Sequence, residues 1–175
     1  MKVAAESKRF PVELIFDGDH YERVVQALIM ERGHHSIWIA TATVKDTRVE
    51  EGVAVYSPLL KRLGTLAGAG ADIRVLHGSQ PSAPFLASFA RFGKGVRLRR
   101  NDRVHSKIVL VDGHLAYLGS ANFTGAGLGA KSPGRRNHEA GVLSGDLDFA
   151  LRVRTYFEEI WGVSGRDTPQ PCLRR

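Results

Sequence analysis

His105 and Lys107 stand two residues apart. Asp112 follows, and then Gly119-Ser120-Ala121-Asn122, so the spacing is H-x-K-x4-D-x6-G-S-x-N. An imidazole can act as nucleophile or as general acid. An ammonium and a carboxamide can hold phosphoryl oxygens while negative charge develops on them. A hydroxyl adds a further donor and acceptor. Such a set suits an anionic phosphodiester, and with these donors carrying the charge no metal or other cofactor is required.

The local pattern indicates how these groups meet. Val104 to Val111 is rich in β-branched residues and reads as a strand, which puts His105 and Lys107 on one face. Asp112-Gly113 is a hairpin signal, and His114 to Leu118 reads as the returning strand. The loop carrying Ser120 and Asn122 then ends beside the start of the hairpin, close to His105. Asp112 sits at the turn, far along the strand from His105, and reads as a supporting residue.

This pattern resembles the HKD motif of the phospholipase D superfamily, with all six fixed positions filled. Chance would supply six such identities in roughly one chain in 10⁵–10⁶. A second segment, Asn137-His138-Glu139-Ala140-Gly141, is similar to the N-x-E-x-G stretch that follows the motif in that family. The resemblance implies a layered α-β-α domain and phosphodiester chemistry through a phosphohistidine. It makes His105, Lys107, Ser120, Asn122, Glu139 and Asp112 the site residues. Glu139 is the expected carboxylate partner of His105, fixing its tautomer. The family chemistry uses two histidines, and the chain contains a single H-x-K; short single-motif members form homodimers with the motifs facing across the axis. The resemblance spans residues 11–161, but its specific part is confined to residues 104–122 and 137–143.

The 175 residues suffice for one domain with a real core, taken as residues 11–161 followed by a loosely ordered tail, 162–175. The net charge of +7 and pI near 9.9 favour a polyanionic partner. The single cysteine, Cys172, excludes a disulfide framework or a cysteine-rich zinc site within the chain. MKVAAESKRFPVELIF lacks a secretory apolar core, and no stretch approaches the ~20 apolar residues of a membrane span, so a cytoplasmic protein without a membrane anchor is expected. From Lys94 to Lys107 there are six lysines and arginines against one acid. Arg97, Arg99, Arg100 and Arg103, with Arg135 and Arg136 further on, are the expected phosphate-backbone contacts. The expected activity is therefore a metal-independent nuclease acting on DNA or RNA. A phospholipid phosphodiesterase and a non-catalytic nucleic-acid-binding module are the alternatives.

Elsewhere the pattern alternates strands with helices, giving an α/β domain with a mostly parallel sheet, helices on both faces and the hairpin added. Strands are expected at residues 11–16, 36–44, 73–77 and 139–143, and more weakly at 53–56. Asp19 and Glu22 open a helix whose apolar face is Val24, Val25, Leu28 and Ile29, with Gly33 ending it. Residues 45–52 read as a loop. Ser57-Pro58 reads as the cap of a helix striped by Leu59, Leu60, Leu63 and Leu66. Gly64, Gly68 and Gly70 lack phosphate-loop spacing. Phe85, Phe89 and Phe92 mark a helix over 84–92. The glycine-rich run after Asn122 is expected to open a short helix. A last helix, capped by Asp146, is expected to bury Leu147, Ala150, Leu151, Phe157, Ile160 and Trp161.

Overall fold

Short segments of four to six residues, most of them apolar and the edge strand Arg97–Arg100 largely basic, give this chain seven sheet strands whose order sets up one functional edge. The computed structural model describes residues 9–30 and 35–168. The strands are β1 (Glu13–Phe16), β2 (Ser36–Thr41), β5 (Asp72–His77), β6 (Arg97–Arg100), β7 (Lys107–Val111), β8 (Leu115–Gly119) and β9 (Ala140–Ser144). A separate hairpin pairs β3 (Arg48–Gly52) with β4 (Val55–Pro58). The large sheet has the order β1-β9-β8-β7-β2-β5-β6. Only β2–β5 and β5–β6 are parallel neighbours, yet five of the seven strands run the same way, with β7 and β9 reversed. The mostly parallel sheet thus holds in strand direction, and the inserted strands make it mixed.

Both faces are covered. On one lie the helix Tyr21–Met30, α1 (Leu59–Gly68) and α2 (Ala83–Phe92), burying Val24, Leu28, Leu63, Phe85 and Phe89 against Ile37, Ile39, Val75 and Val109. On the other α3 (Leu147–Gly162) packs Ala150, Val153, Phe157 and Trp161 on Trp38, Leu76, Ile108, Leu110 and Ala116. Trp38 stacks on Phe157 at 5.3 Å and Phe157 on Trp161 at 5.8 Å.

Several sequence expectations shift here. The first helix is a π-helix over Tyr21–Met30, with the expected apolar face buried; its expected end at Gly33 lies outside the described residues. Residues 48–52 form a strand rather than a loop, since β4 supplies a partner that charged local composition does not announce. Helix α1 is capped by Pro58, not Ser57. The amides of Leu59 and Leu60 instead donate to the Thr47 carbonyl (2.8 Å) and the Asp46 carboxylate (3.3 Å). The run after Asn122 is a series of turns rather than a helix, with the Leu128 amide donating to the Thr124 carbonyl at 2.8 Å. On α3, Leu147 and Leu151 are exposed and Val153 takes the buried position. The start of the expected loose tail packs along edge strand β6. The Thr168 amide donates to the Leu98 carbonyl at 2.7 Å, and Arg99 pairs with Asp167 at 2.6 Å. Residues 169–175, Cys172 among them, lie outside the described residues.

Candidate active site

Strand direction decides what meets at the functional edge. The starts of β7 and β9 lie alongside the ends of β1, β2, β5, β6 and β8. Lys107 pairs with Gly119, and Gly119 with Gly141. Register therefore places Lys107 beside the Ser120 loop and beside the segment leading from Glu139 into β9.

Strand β7 begins at Lys107, so His105 lies in the extended lead-in rather than on the strand. The two side chains still meet. The Lys107 Nζ is 3.1 Å from His105 Nδ1 and 3.5 Å from Nε2, and it also donates to the His105 carbonyl. An ammonium has only donors, so the ring nitrogen facing it is the acceptor. His105 is exposed while Lys107 is buried. Burial holds the Lys107 pKa below the ordinary lysine value, and the negative charge of Glu139 opposes that shift.

The Ser120 hydroxyl donates to Glu139 Oε2 and accepts from the Ala140 amide at 3.0 Å. The Asn137 carboxamide donates to Glu139 Oε1 at 3.0 Å. Glu139 thus binds Ser120 and Asn137 and makes no hydrogen bond to the His105 ring, which is turned onto Lys107; the expected Glu139–His105 pairing is replaced by these contacts. Asn122 Oδ1 accepts from the Thr43 amide at 3.1 Å, and its carboxamide NH2 has no hydrogen-bond acceptor among the described residues.

Asp112 is not at this edge. At the far end of β7, its carboxylate accepts from the amides of His35 (2.7 Å) and Ser36 (2.8 Å). With φ of 51° at Asp112 and 70° at Gly113, it shapes the turn and anchors the start of β2. Arg97 and Arg99 are also displaced from the expected groove. They face α3, where Arg97 pairs with Asp72, Arg99 pairs with Asp167, and Arg99 lies 4.3 Å from the Trp161 ring centre. Arg100 is at the functional edge, paired with Asp102 at 2.7 Å. Arg103, Arg135 and Arg136 are exposed.

Two residues important to the site come from distant segments. Asp17, in a left-handed turn at φ 44°, accepts from the Glu139 amide at 2.9 Å and from His138 Nδ1 at 3.1 Å. Those bonds hold its carboxyl below the usual range. Its D-G-D context signals only a turn. Thr41 ends β2 and is fully buried. Its hydroxyl accepts from the Phe123 amide at 2.9 Å and lies 2.9 Å from the Thr43 carbonyl and 3.3 Å from Asn122 Oδ1. It fastens the Asn122 loop to the sheet. Thr41→Val is expected to lower kcat about tenfold, the equivalent of one lost hydrogen bond, with KM little changed and Thr41→Ser restoring the rate.

The motif glycine has a packing reason. A Cβ on Gly119 would lie 2.2 Å from the Tyr117 hydroxyl oxygen, and one on Gly141 2.5 Å from the Tyr117 ring. Tyr117 is buried and packs edge-on to His20 at 5.5 Å, so making room for a Cβ disturbs core packing. Gly119→Ala is expected to cost about 1–3 kcal/mol in denaturant unfolding, part of it regained when Tyr117 is also cut back to leucine.

Fold and edge together define a phospholipase D-like domain. A family model described as "Cardiolipin synthase, PLD-like domain" matches residues 24–161, and the chain belongs to that family, within the phospholipase D superfamily. Cardiolipin synthase A of Pseudomonas putida (strain W619) is 32% identical over 125 residues, 67% of this chain and 24% of that protein. The chain spans about a quarter of the length of that curated relative. Nuc of Salmonella typhimurium, a phospholipase D family member, matches with a TM-score of 0.66 at 19% identity, covering 90% of this chain and 97% of its own. NucT of Helicobacter pylori matches with a TM-score of 0.66 at 12% identity, covering 90% and 99%. At these identities the two structures establish the shared fold.

Proposed function

We propose that the protein is a nuclease that hydrolyses DNA or RNA phosphodiester bonds through His105, without a metal, as a homodimer. The observation that carries this reading is the exposed His105 ring against the Lys107 ammonium, bordered by Ser120, Asn122 and Glu139. Among the described residues no group of three or more His, Cys, Asp or Glu side chains is arranged to hold a metal ion, and the positive charge at the edge comes from lysine and arginine.

When a phosphodiester enters, Lys107 exchanges the His105 ring for a phosphoryl oxygen. The Asn122 NH2 donates to a second oxygen. A His105 ring nitrogen, its lone pair free, attacks phosphorus; a nitrogen–phosphorus bond forms as the bond to the leaving oxygen breaks. The partner subunit's His105 gives that oxygen its proton, then takes one from the water that hydrolyses the phosphohistidine. The net charge of +7 and the exposed Arg103, Arg135 and Arg136 suit a polyanionic chain.

A phospholipid phosphodiesterase is the second reading, favoured by the family match and the cardiolipin synthase relative. No helix among the described residues is long and apolar enough to cross a membrane. Salt dependence separates the two: neutralising Arg103, Arg135 or Arg136 is expected to lower the salt slope of DNA binding by about 1 per arginine, without changing sequence preference. Unchanged slopes after removal of all three would rule out the arginine contacts. Arg97→Gln and Arg99→Gln are expected to leave the slope unaltered, since both arginines already pair with acids.

A further inference from the structure

His77 ends β5 at the functional edge, and the mechanism above gives it no task. It is only 2% exposed. Strand alternation puts its side chain on the face of Ile73 and Val75, which α1 and α2 cover. Its Nδ1 lies 3.0 Å from the Ser79 carbonyl oxygen. A carbonyl only accepts, so Nδ1 carries the hydrogen and Nε2 the lone pair. Nε2 is buried and has no hydrogen-bond partner among the described residues. A proton there would be a buried charge without an acceptor, so the surroundings favour the neutral ring. The charged groups acting on it are Arg100, its neighbour on β6, and Asp102 just beyond. On the other side β2 presents the uncharged Thr41, and Lys107 of β7 is turned onto His105. Burial above all, with the Arg100 charge, holds the His77 pKa below the ordinary histidine value; the Ser79 carbonyl and Asp102 oppose that shift.

Two hydrogen-bonded arms leave this point. In the first, the Ser79 amide donates to the Ala42 carbonyl at 2.7 Å and its hydroxyl to the Thr43 hydroxyl at 3.3 Å. The Thr43 amide in turn holds Asn122 Oδ1 at 3.1 Å. In the second, the His77 carbonyl accepts from the Asn101 amide at 3.0 Å, and the Asn101 carbonyl from the Val104 amide at 2.9 Å. Val104 immediately precedes His105. Gly78 lies between the arms: a Cβ there would be 2.4 Å from the Val104 carbonyl oxygen and 3.1 Å from that of Ala42. We propose that His77 is a positioning residue of the active site, its neutral ring fastening the Ser79 loop that sets the Asn122 carboxamide and the lead-in to His105. A proton on Nε2 needs an acceptor, and the ring reaches one only by leaving its place, which loosens Ser79 and both arms. The neutral form is the working one, so activity governed by His77 rises with pH through its native pKa. Between that value and the higher unfolded value the unfolded chain binds more protons, so stability rises with pH as well.

The inference rests on the reading of His105 and Asn122 as groups acting on a phosphodiester, and the test keeps the two apart by adding a readout that needs no turnover. Wild type, His77→Asn and His77→Phe are compared. Asparagine bears its carboxamide nitrogen on Cγ, as histidine bears Nδ1, so it retains the donor to Ser79 and does not titrate. Heteronuclear NMR spectra follow the Thr43 amide and the Asn122 carboxamide from about pH 5 to pH 8, and kcat and KM for DNA or RNA cleavage are taken over the same range. In wild type both signals are expected to move with the titration of the His77 ring. In His77→Asn they stay in place, kcat at neutral pH is within about threefold of wild type, and the acid limb of kcat loses one proton of its slope. His77→Phe, without the donor, is expected to lower kcat about tenfold with KM little changed. Thr43 and Asn122 signals indifferent to the His77 titration, or an acid limb unchanged in His77→Asn, would overturn the proposal. A wild type that cleaves no nucleic acid overturns the nuclease reading, and the spectra then decide this inference alone.

Discussion

Replacing His105 with alanine is expected to lower phosphodiester cleavage by about 10⁴-fold or more, leaving Tm and nucleic-acid affinity near wild type. The stability half follows from exposure: the ring lies on the surface and, among the described residues, its polar partner is Lys107, so the core loses nothing. The activity half follows from the double role of the side chain. In a two-fold site one imidazole forms the bond to phosphorus and the other protonates the leaving oxygen, so one substitution removes nucleophile and acid together. Thermal melts, binding isotherms and single-turnover cleavage check the three parts. Mixing His105→Ala with wild-type chains should lower activity further than dilution accounts for, because each heterodimer has one ring.

Lys107→Met is expected to lower kcat by about 10²–10³, the scale of a lost donor to a developing oxyanion, while Tm stays at or above wild type. The ammonium is buried and, among the described residues, holds no acid partner within ion-pair distance, so the native fold disfavours its charge. Its native pKa lies below its unfolded value. Between those two values the unfolded chain binds more protons, and Lys107 makes native stability rise as pH increases through that window. In Lys107→Met this alkaline contribution is absent. Denaturant midpoints collected across the alkaline range, beside kcat at neutral pH, separate the stability effect from the catalytic one.

The central residues were legible because they are local. His105, Lys107, Ser120 and Asn122 belong to one hairpin, and a hairpin turn with alternating strands fixes which ends meet. The same rule places Asp112 apart: a strand rising about 3.3 Å per residue carries it roughly 17 Å from Lys107, so its work is at the opposite edge. What depends on distant segments was not legible. Thr41 and Asp17 reach the site from β2 and from the first turn, and nothing adjacent to them in sequence marks either. Glu139 met Ser120 and Asn137 instead of His105 because side-chain partners follow from packing rather than spacing. Arg97 and Arg99 read as free charges until Asp72 and Asp167 came alongside. On α3 a helical stripe containing Leu147 and Leu151 competed with one containing Val153, and the sheet surface under the helix chose the second.

One experiment bears most directly on the proposed chemistry. Purified protein, in EDTA, is given labelled single- and double-stranded DNA, RNA, and phosphatidylcholine and cardiolipin vesicles, with His105→Ala run in parallel. The account expects cleavage of at least one nucleic acid in EDTA, no headgroup release from lipid, and no product from His105→Ala. Strict dependence on Mg²⁺, lipid turnover with nucleic acids untouched, or wild-type cleavage by His105→Ala would contradict it.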